Sequence, residues 1–165
     1  MIKKYLFPDR YFDDIYSITT ELLTKLGIKG LICDIDNTLV PYEIAVPTPD
    51  VSEWICKIKE AGMQVSFVSN NNIERVNEFN RDLQFFASAD SIKPSRRKLR
   101  AAMAFMGTDK TNTAVIGDQI FTDIFAGKRL GLYTFLVKPI KDKRTLFFKI
   151  KRMFEKLILK MYLKM

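Results

Sequence analysis

Apolar and polar positions change period several times along this chain, and each change marks an element. Between residues 12 and 26, Phe12, Ile15, Ile18, Leu22, Leu23 and Leu26 recur at helical spacing, and Gly27 supplies the stop. Residues 28–35 are a near-continuous apolar run, the signature of a strand buried on both faces. Residues 50–61 return to helical spacing behind Thr48 as cap and Pro49 at the first helical position. A second strand is predicted over 63–68 (MQVSFV), then a helix over 73–82 capped by Asn72. A short third strand follows over 83–88, and Pro94 opens a helix that runs to Gly107. Residues 113–116 (TAVI) and 132–137 (LYTFLV) are the fourth and fifth strands.

Strands alternating with helices predict an α/β domain with a doubly wound, Rossmann-like parallel sheet flanked by helices. Ligands of such sheets bind beyond the carboxyl ends of the strands. Every strand exit here is polar. The first ends in Asp34, Asp36, Asn37 and Thr38, within LICDIDNTLVPYE (residues 31–43). The second ends in Ser69, Asn70 and Asn71, the third in Lys93 and Pro94, and the fourth in Gly117 and Asp118, with Asp123 one turn on.

Composition narrows the chemistry. The 165 residues are about one domain's worth, and 47% are apolar, enough for a packed core. There is no histidine, which excludes Ser-His-Asp triads, Cys-His pairs and histidine metal sites. Cys33 and Cys56 form no CxxC and read as fillers, and Trp54 as a core residue. Catalysis must therefore run on carboxylates, lysine, hydroxyls or a metal held by oxygen. Four aspartates and a lysine converging on one sheet edge suit a hard divalent cation, Mg2+, which also binds substrate phosphate. A cation there would offset the repulsion between close carboxylates. One carboxylate could then act as nucleophile and another carry a proton, while Ser69 and Lys93 meet the charge of a phosphoryl group. Ser69, Asn70 and Asn71 equally suit a helix cap, and one segment can do both.

DxDNT, a strand-end serine, a Lys-Pro helix start and GDxxxxD occur in this order over about residues 28–139, and together resemble the haloacid dehalogenase (HAD) superfamily. GIKGLICDIDNTLV, VSNNN, IKPSRRKLRAA and GDQIFTDIFAGKRLGLYTFLVKPI resemble more closely the YqeG family of type IIIA HAD phosphatases. That branch includes phosphatidylglycerophosphate phosphatases. The resemblance implies Asp34 as the nucleophile that forms an aspartyl-phosphate. It implies Asp36 as general acid/base, with its carbonyl on Mg2+. Thr38, Ser69, Asn70 and Lys93 would contact phosphate. Asp118 would bind the metal together with Asp34 and Asp36, supported by Asp123.

Only 32 residues separate Asp36 from Ser69 and 21 separate Asn71 from Lys93, each filled by a helix and a strand. No cap domain fits, and an open site suits a large substrate. Net charge is +8, of which residues 141–165 carry +7. Within 144–165, Leu146, Ile150, Met153, Leu157 and Met161 form an apolar stripe beside Lys149, Arg152, Lys156, Lys160 and Lys164. This basic amphipathic helix extends the domain of residues 1–140. Packing on the domain, an anionic membrane surface, nucleic acid and a protein partner are its alternatives.

No apolar run approaches the roughly 18 residues of a membrane span, and Tyr5, Leu6 and Phe7 are too few for a signal sequence. The expectation is a cytoplasmic protein, with a peripheral position on the inner membrane face as the alternative. It would be an Mg2+-dependent phosphomonoesterase converting phosphatidylglycerophosphate to phosphatidylglycerol. A phosphatase of protein, nucleotide or nucleic-acid phosphates is the alternative within the enzyme class. A non-catalytic RNA- or ribosome-associated protein using its basic tail is the alternative outside it.

Overall fold

Six strands form one all-parallel sheet in the order β1-β6-β5-β2-β3-β4 in the computed structural model, which describes residues 2–91, 95–141 and 145–164. The strands are β1 (Arg10–Phe12), β2 (Gly30–Cys33), β3 (Gln64–Val68), β4 (Phe86–Ser88), β5 (Thr113–Gly117) and β6 (Tyr133–Val137). The helices are α1 (Ile2–Leu6), α2 (Thr20–Lys25), α3 (Pro49–Glu60), α4 (Ile73–Asn80), α5 (Arg97–Met106), α6 (Phe125–Leu130) and α7 (Leu146–Leu163). The sheet is doubly wound with helices on both faces, and the described residues contain no cap domain.

Both faces of the sheet are covered, so β2 and β5 are buried at every position. Leu31, Cys33, Phe67 and Ile116 point to one face, against α3 and α4. Ile32, Val68 and Val115 point to the other, against Leu99 and Ala102 of α5 and Ala126 of α6. Alternation of side chains along each strand sorts one apolar run into two cores. Trp54 belongs to the first core, and its indole N–H donates to the Ile18 carbonyl at 3.0 Å. A third, smaller cluster of Phe7, Ile120, Ile124, Leu136 and Ile158 ties α1 and α7 to the domain.

Helix boundaries follow local hydrogen bonding. Thr48 caps α3 by accepting from the Val51 N–H, and Asn72 caps α4 by accepting from the Arg75 N–H at 2.9 Å. Gly107 closes α5 in the left-handed conformation that its lack of a Cβ permits. Residues 92–94, including Pro94, lie outside the described residues.

The predicted helix over 12–26 is corrected. Arg10–Phe12 is a strand paired with β6, Ile15–Ser17 is a single 3-10 turn, and a helix begins only at Thr20. Two local bonds break the continuity. Asp14 accepts from the Ser17 N–H, and Thr19 caps α2 by accepting from the Leu22 N–H. The apolar spacing was real, because Ile15, Ile18 and Leu23 are all buried, but one strand, one turn and one helix share it.

Phe67 is fully buried in β3 and packs edge-to-face on Phe79 with ring centroids 5.3 Å apart. Phe67→Ala should cost about 3–5 kcal/mol in denaturant unfolding. Phe147→Ala, at a side chain 80% exposed, should stay within about 0.5 kcal/mol.

Candidate active site

The C-terminal ends of β2, β3 and β5 converge on one small cleft. It has a volume of about 170 Å³ and is lined by Asp34, Asp36, Tyr42, Ser69, Asn70, Asn71, Gln119 and Thr122. A roomier groove of about 450 Å³ lies between α2 and α3 near Tyr16 and Trp54, remote from the aspartate cluster.

The loop after β2 folds back tightly. The N–H groups of Thr38, Leu39 and Val40 all reach the Ile35 carbonyl. Asn37 takes φ +64°, which asparagine tolerates better than most residues. This turn sets the carboxylates of Asp34 and Asp36 in different surroundings. Asp34 joins Asp118 and Asp123, and one carboxylate oxygen from each lies within 4.8 Å of the other two. All three residues are buried. The Thr38 hydroxyl spans two of them, 3.3 Å from Asp34 Oδ2 and 3.5 Å from Asp118 Oδ1.

Asp36 faces other partners. Arg75 donates Nε and Nη2 to Asp36 Oδ1 at 3.1 and 3.0 Å, and Asn71 Nδ2 donates to Oδ2 at 2.8 Å. Arg75 is itself fixed by the carbonyls of Ala45 and Ile44, at 2.7 and 2.8 Å. The Asp36 carboxylate is thus oriented through both oxygens. Two guanidinium N–H groups converging on one oxygen, with an amide N–H on the other, fix direction as well as charge.

Beyond β5 the backbone itself makes room. A Cβ on Gly117 would lie 2.3 Å from the Cβ and Cγ of Asp123, so only glycine lets that carboxylate pack over the strand end. The chain then takes one wide turn over Ile120–Ile124, with the N–H groups of Asp123 and Ile124 both on the Gln119 carbonyl. Wide turns of this sort often occur at functional sites. Here it brings Asp123 back toward Gly117, and Asp123 Oδ2 accepts from the Gln119 N–H.

Asp118 has a partner from the far end of the chain. Arg152 of α7 donates Nη2 to Asp118 Oδ2 and Nη1 to the Asp118 carbonyl, the latter at 2.6 Å. Glu155, one turn on, accepts from Arg152 Nη1 at 2.8 Å and from the Phe121 N–H at 3.1 Å. Burial pushes the Asp118 carboxyl up to about 6, Asp123 adds to the rise, and Arg152 opposes it. Burial also raises the Tyr42 hydroxyl, and Asp34, Asp36 and Asp118 raise it further.

The donor set fits a hard divalent cation. It is oxygen-only, carries several charges and sits at a strand edge, and like charges this close favour a cation among them. Of the sequence candidates, the structure gathers Asp34, Thr38, Asp118 and Asp123 around one point, with Asp36, Ser69 and Asn70 at the rim of the same cleft. The Asp36 carboxylate stands apart from the trio. Ser69 Oγ accepts from the Asn71 N–H at 3.1 Å, so this segment does form a local turn. Lys93 lies outside the described residues.

Arg75, Tyr42 and Arg152 are additions, and Asn71, known from sequence only as a strand-exit residue, gains a contact to Asp36. Arg75 had a signal, sitting in the first turn of a helix that starts at a strand exit. Arg152 reads in sequence as one of a row of surface lysines and arginines, yet its side chain is 93% buried. Glu155, the only acidic residue in 144–165 and three positions later, was the clue to an inward pair.

Comparison with known proteins bears on the family and the fold. A family model described as "HAD-hyrolase-like" matches residues 92–146. The chain is 37% identical over 159 residues to "Probable phosphatase YqeG" of Bacillus subtilis, covering 96% of this chain and 92% of that protein. It is 26% identical over 150 residues to phosphatidylglycerophosphate phosphatase 1, chloroplastic/mitochondrial, of Arabidopsis thaliana. That match takes in 84% of this chain but only 42% of the plant protein. Among solved structures, the cobalt-bound deoxy-D-mannose-octulosonate 8-phosphate phosphatase of Haemophilus influenzae aligns with a TM-score of 0.56 at 17% identity, covering 84% of this chain and 91% of that one. A HAD-superfamily hydrolase of Ehrlichia chaffeensis aligns with a TM-score of 0.56 at 16% identity, covering 80% and 98%. These structural likenesses speak to the fold.

The trio generates a test that needs no substrate. A divalent cation at about a hundred times its Kd should raise the Tm by roughly 5–10 °C. Gly117→Ala, which displaces Asp123, should abolish most of that rise, as should Asp118→Asn. Differential scanning calorimetry with cation and with chelator reads both.

Proposed function

The chain belongs to the YqeG family of HAD-type phosphatases, and from that premise we propose an Mg2+-dependent phosphomonoesterase that works through an aspartyl-phosphate on Asp34. The observation that carries this reading is the separation of carboxylate roles within one cleft. Asp34 sits in the buried trio with Asp118 and Asp123, while Asp36 is held apart by Arg75 and Asn71.

In this reading Asp34, Asp118 and Asp123, with the Asp36 carbonyl, would hold Mg2+. When bound, the ion would supply positive charge that screens Asp34 and the phosphoryl oxygens. An Asp34 oxygen attacks phosphorus, the ester P–O bond breaks, and Asp36 gives its proton to the departing alkoxide. Asp36 then takes a proton from water as that water attacks phosphorus. The Asp34–phosphorus bond breaks, inorganic phosphate leaves and the Asp34 carboxylate is restored. The hydroxyls of Ser69 and Thr38, the Asn70 amide and the Lys93 ammonium contact the phosphoryl group. Arg75 and Asn71 are positioning residues for Asp36, because they touch its carboxylate rather than the reacting atoms.

The substrate proposed is phosphatidylglycerophosphate, converted to phosphatidylglycerol. Two observations support it beside the plant relative's name. The cleft is small, below the roughly 300–1,000 Å³ that encloses a whole drug-sized ligand, so it suits a phosphate group while the rest of the substrate lies outside. Among the described residues no cap closes over it. The enzyme would meet this lipid substrate at a membrane surface; no described helix is long and apolar enough to cross a bilayer. Residues 1–140 and 141–165 would act as one unit, joined at Asp118.

The test is phosphate release from short-chain phosphatidylglycerophosphate and from p-nitrophenyl phosphate, with and without Mg2+. Fast Mg2+-dependent release from the lipid is expected. Asp34→Asn should lower kcat by at least about 10⁴-fold while leaving the unfolding curve in place. Turnover of p-nitrophenyl phosphate alone would keep the chemistry and move the substrate to proteins, nucleotides or RNA ends.

A further inference from the structure

An amphipathic helix at the edge of a domain ordinarily turns its apolar face inward. α7 does the opposite along most of its length. The residues it buries are Phe148, Arg152, Glu155 and Ile158, two of them charged. The stripe that amphipathic reasoning would assign to the core is exposed instead. Leu146 is 74% exposed, Met153 59% and Leu157 57%, with Ile150, Phe154 and Met161 beside them. The inward side mixes an ion-pair network with apolar contacts: Arg152 is fixed to Asp118 and Glu155 to the Phe121 N–H, while Ile158, Leu159 and Tyr162 pack on the cluster around Phe7.

We propose that this outward face docks on an anionic lipid bilayer. The charge pattern selects that occupant. Lys149, Lys156, Lys160 and Lys164 are exposed along α7, and Glu155, its only acidic residue, is turned inward. The outward surface of α7 therefore offers aliphatic and aromatic side chains edged by positive charge alone. Helices that lie in the plane of a membrane interface share this composition, the stripe entering the acyl boundary and the lysines meeting anionic headgroups. A second copy of the chain would bring the same lysines against these. A nucleic acid would use the lysines but leave the aliphatic stripe in water.

The placement also suits the site. Arg152 reaches Asp118 from the inward face, so one helix diameter, about 10–12 Å, separates the carboxylate cluster from the bilayer contact. Docking would hold the cleft beside the headgroup layer. The proposal concerns where the domain sits, and it is read by binding without turnover, so it stands or falls apart from the choice of substrate.

The experiment is sedimentation of the full chain with vesicles of phosphatidylcholine alone and of phosphatidylcholine with phosphatidylglycerol. Binding to the anionic vesicles, weakened by salt and absent on the neutral ones, is expected. Ile150→Glu with Leu157→Glu should lower partitioning at least about tenfold, with Tm and p-nitrophenyl phosphate turnover unchanged. Replacing Lys149, Lys156 and Lys160 by Gln should weaken binding to anionic vesicles without touching the stripe. Wild-type protein that ignores anionic vesicles, or a glutamate variant that binds them equally well, would overturn the proposal. So would a wild-type dimer that ignores vesicles and that the glutamate variant dissolves, which would make the stripe a face between two copies.

Discussion

Three buried carboxylates within 4.8 Å of one another are the constraint on which the rest of this structure depends. Removing charge from water is costly, and like charges that close resist ionising together. The surroundings answer that cost in different ways. Gly117 gives up its side chain so that Asp123 can approach. Thr38 places one hydroxyl between Asp34 and Asp118. Arg152 arrives from α7 to meet Asp118. Asp36 is turned out of the group and given Arg75. Catalysis of phosphoryl transfer is largely positioning and electrostatics, and in the proposed reading these are the contacts that would set both.

The sheet edge was legible in the chain because parallel strands read as plain apolar runs and because each exit breaks into polar residues. Asp34, Ser69 and Asp118 follow such runs directly, so their convergence follows from topology alone. The caps Thr48 and Asn72 were legible for a similarly local reason: one side chain and one N–H three residues on decide each. Less local features escaped. Arg10–Phe12 becomes a strand only because β6 lies beside it, and three residues carry too little period to announce that.

Arg75 and Arg152 escaped for a different reason. The residue type carries little mark of burial, the signals were indirect (a helix start at a strand exit for Arg75, Glu155 three positions on for Arg152), and what fixes each direction is a carboxylate far away in the chain. Arg152 and Asp118 are 34 positions apart, and Arg75 and Asp36 are 39. The amphipathic pattern of α7 was read correctly as a pattern. Its orientation depended on partners that the pattern does not contain: Asp118 for Arg152, the Phe121 N–H for Glu155, and the cluster around Phe7 for Ile158. Turning α7 over would leave Asp118 without its guanidinium, and breaking such a pair from one side costs about 3–5 kcal/mol.

The Arg152 contact also imposes an order of events on the making of the molecule. α7 follows every other described element in the chain, so it leaves the ribosome after the sheet strands and the helices between them. Until it docks, Asp118 stands without the guanidinium that α7 brings. A nascent chain can thus assemble its sheet and gather its aspartates, yet the candidate site gains this support only when synthesis reaches α7. The helix that would carry the domain to a surface and the helix that completes the site are the same, so both capacities emerge together.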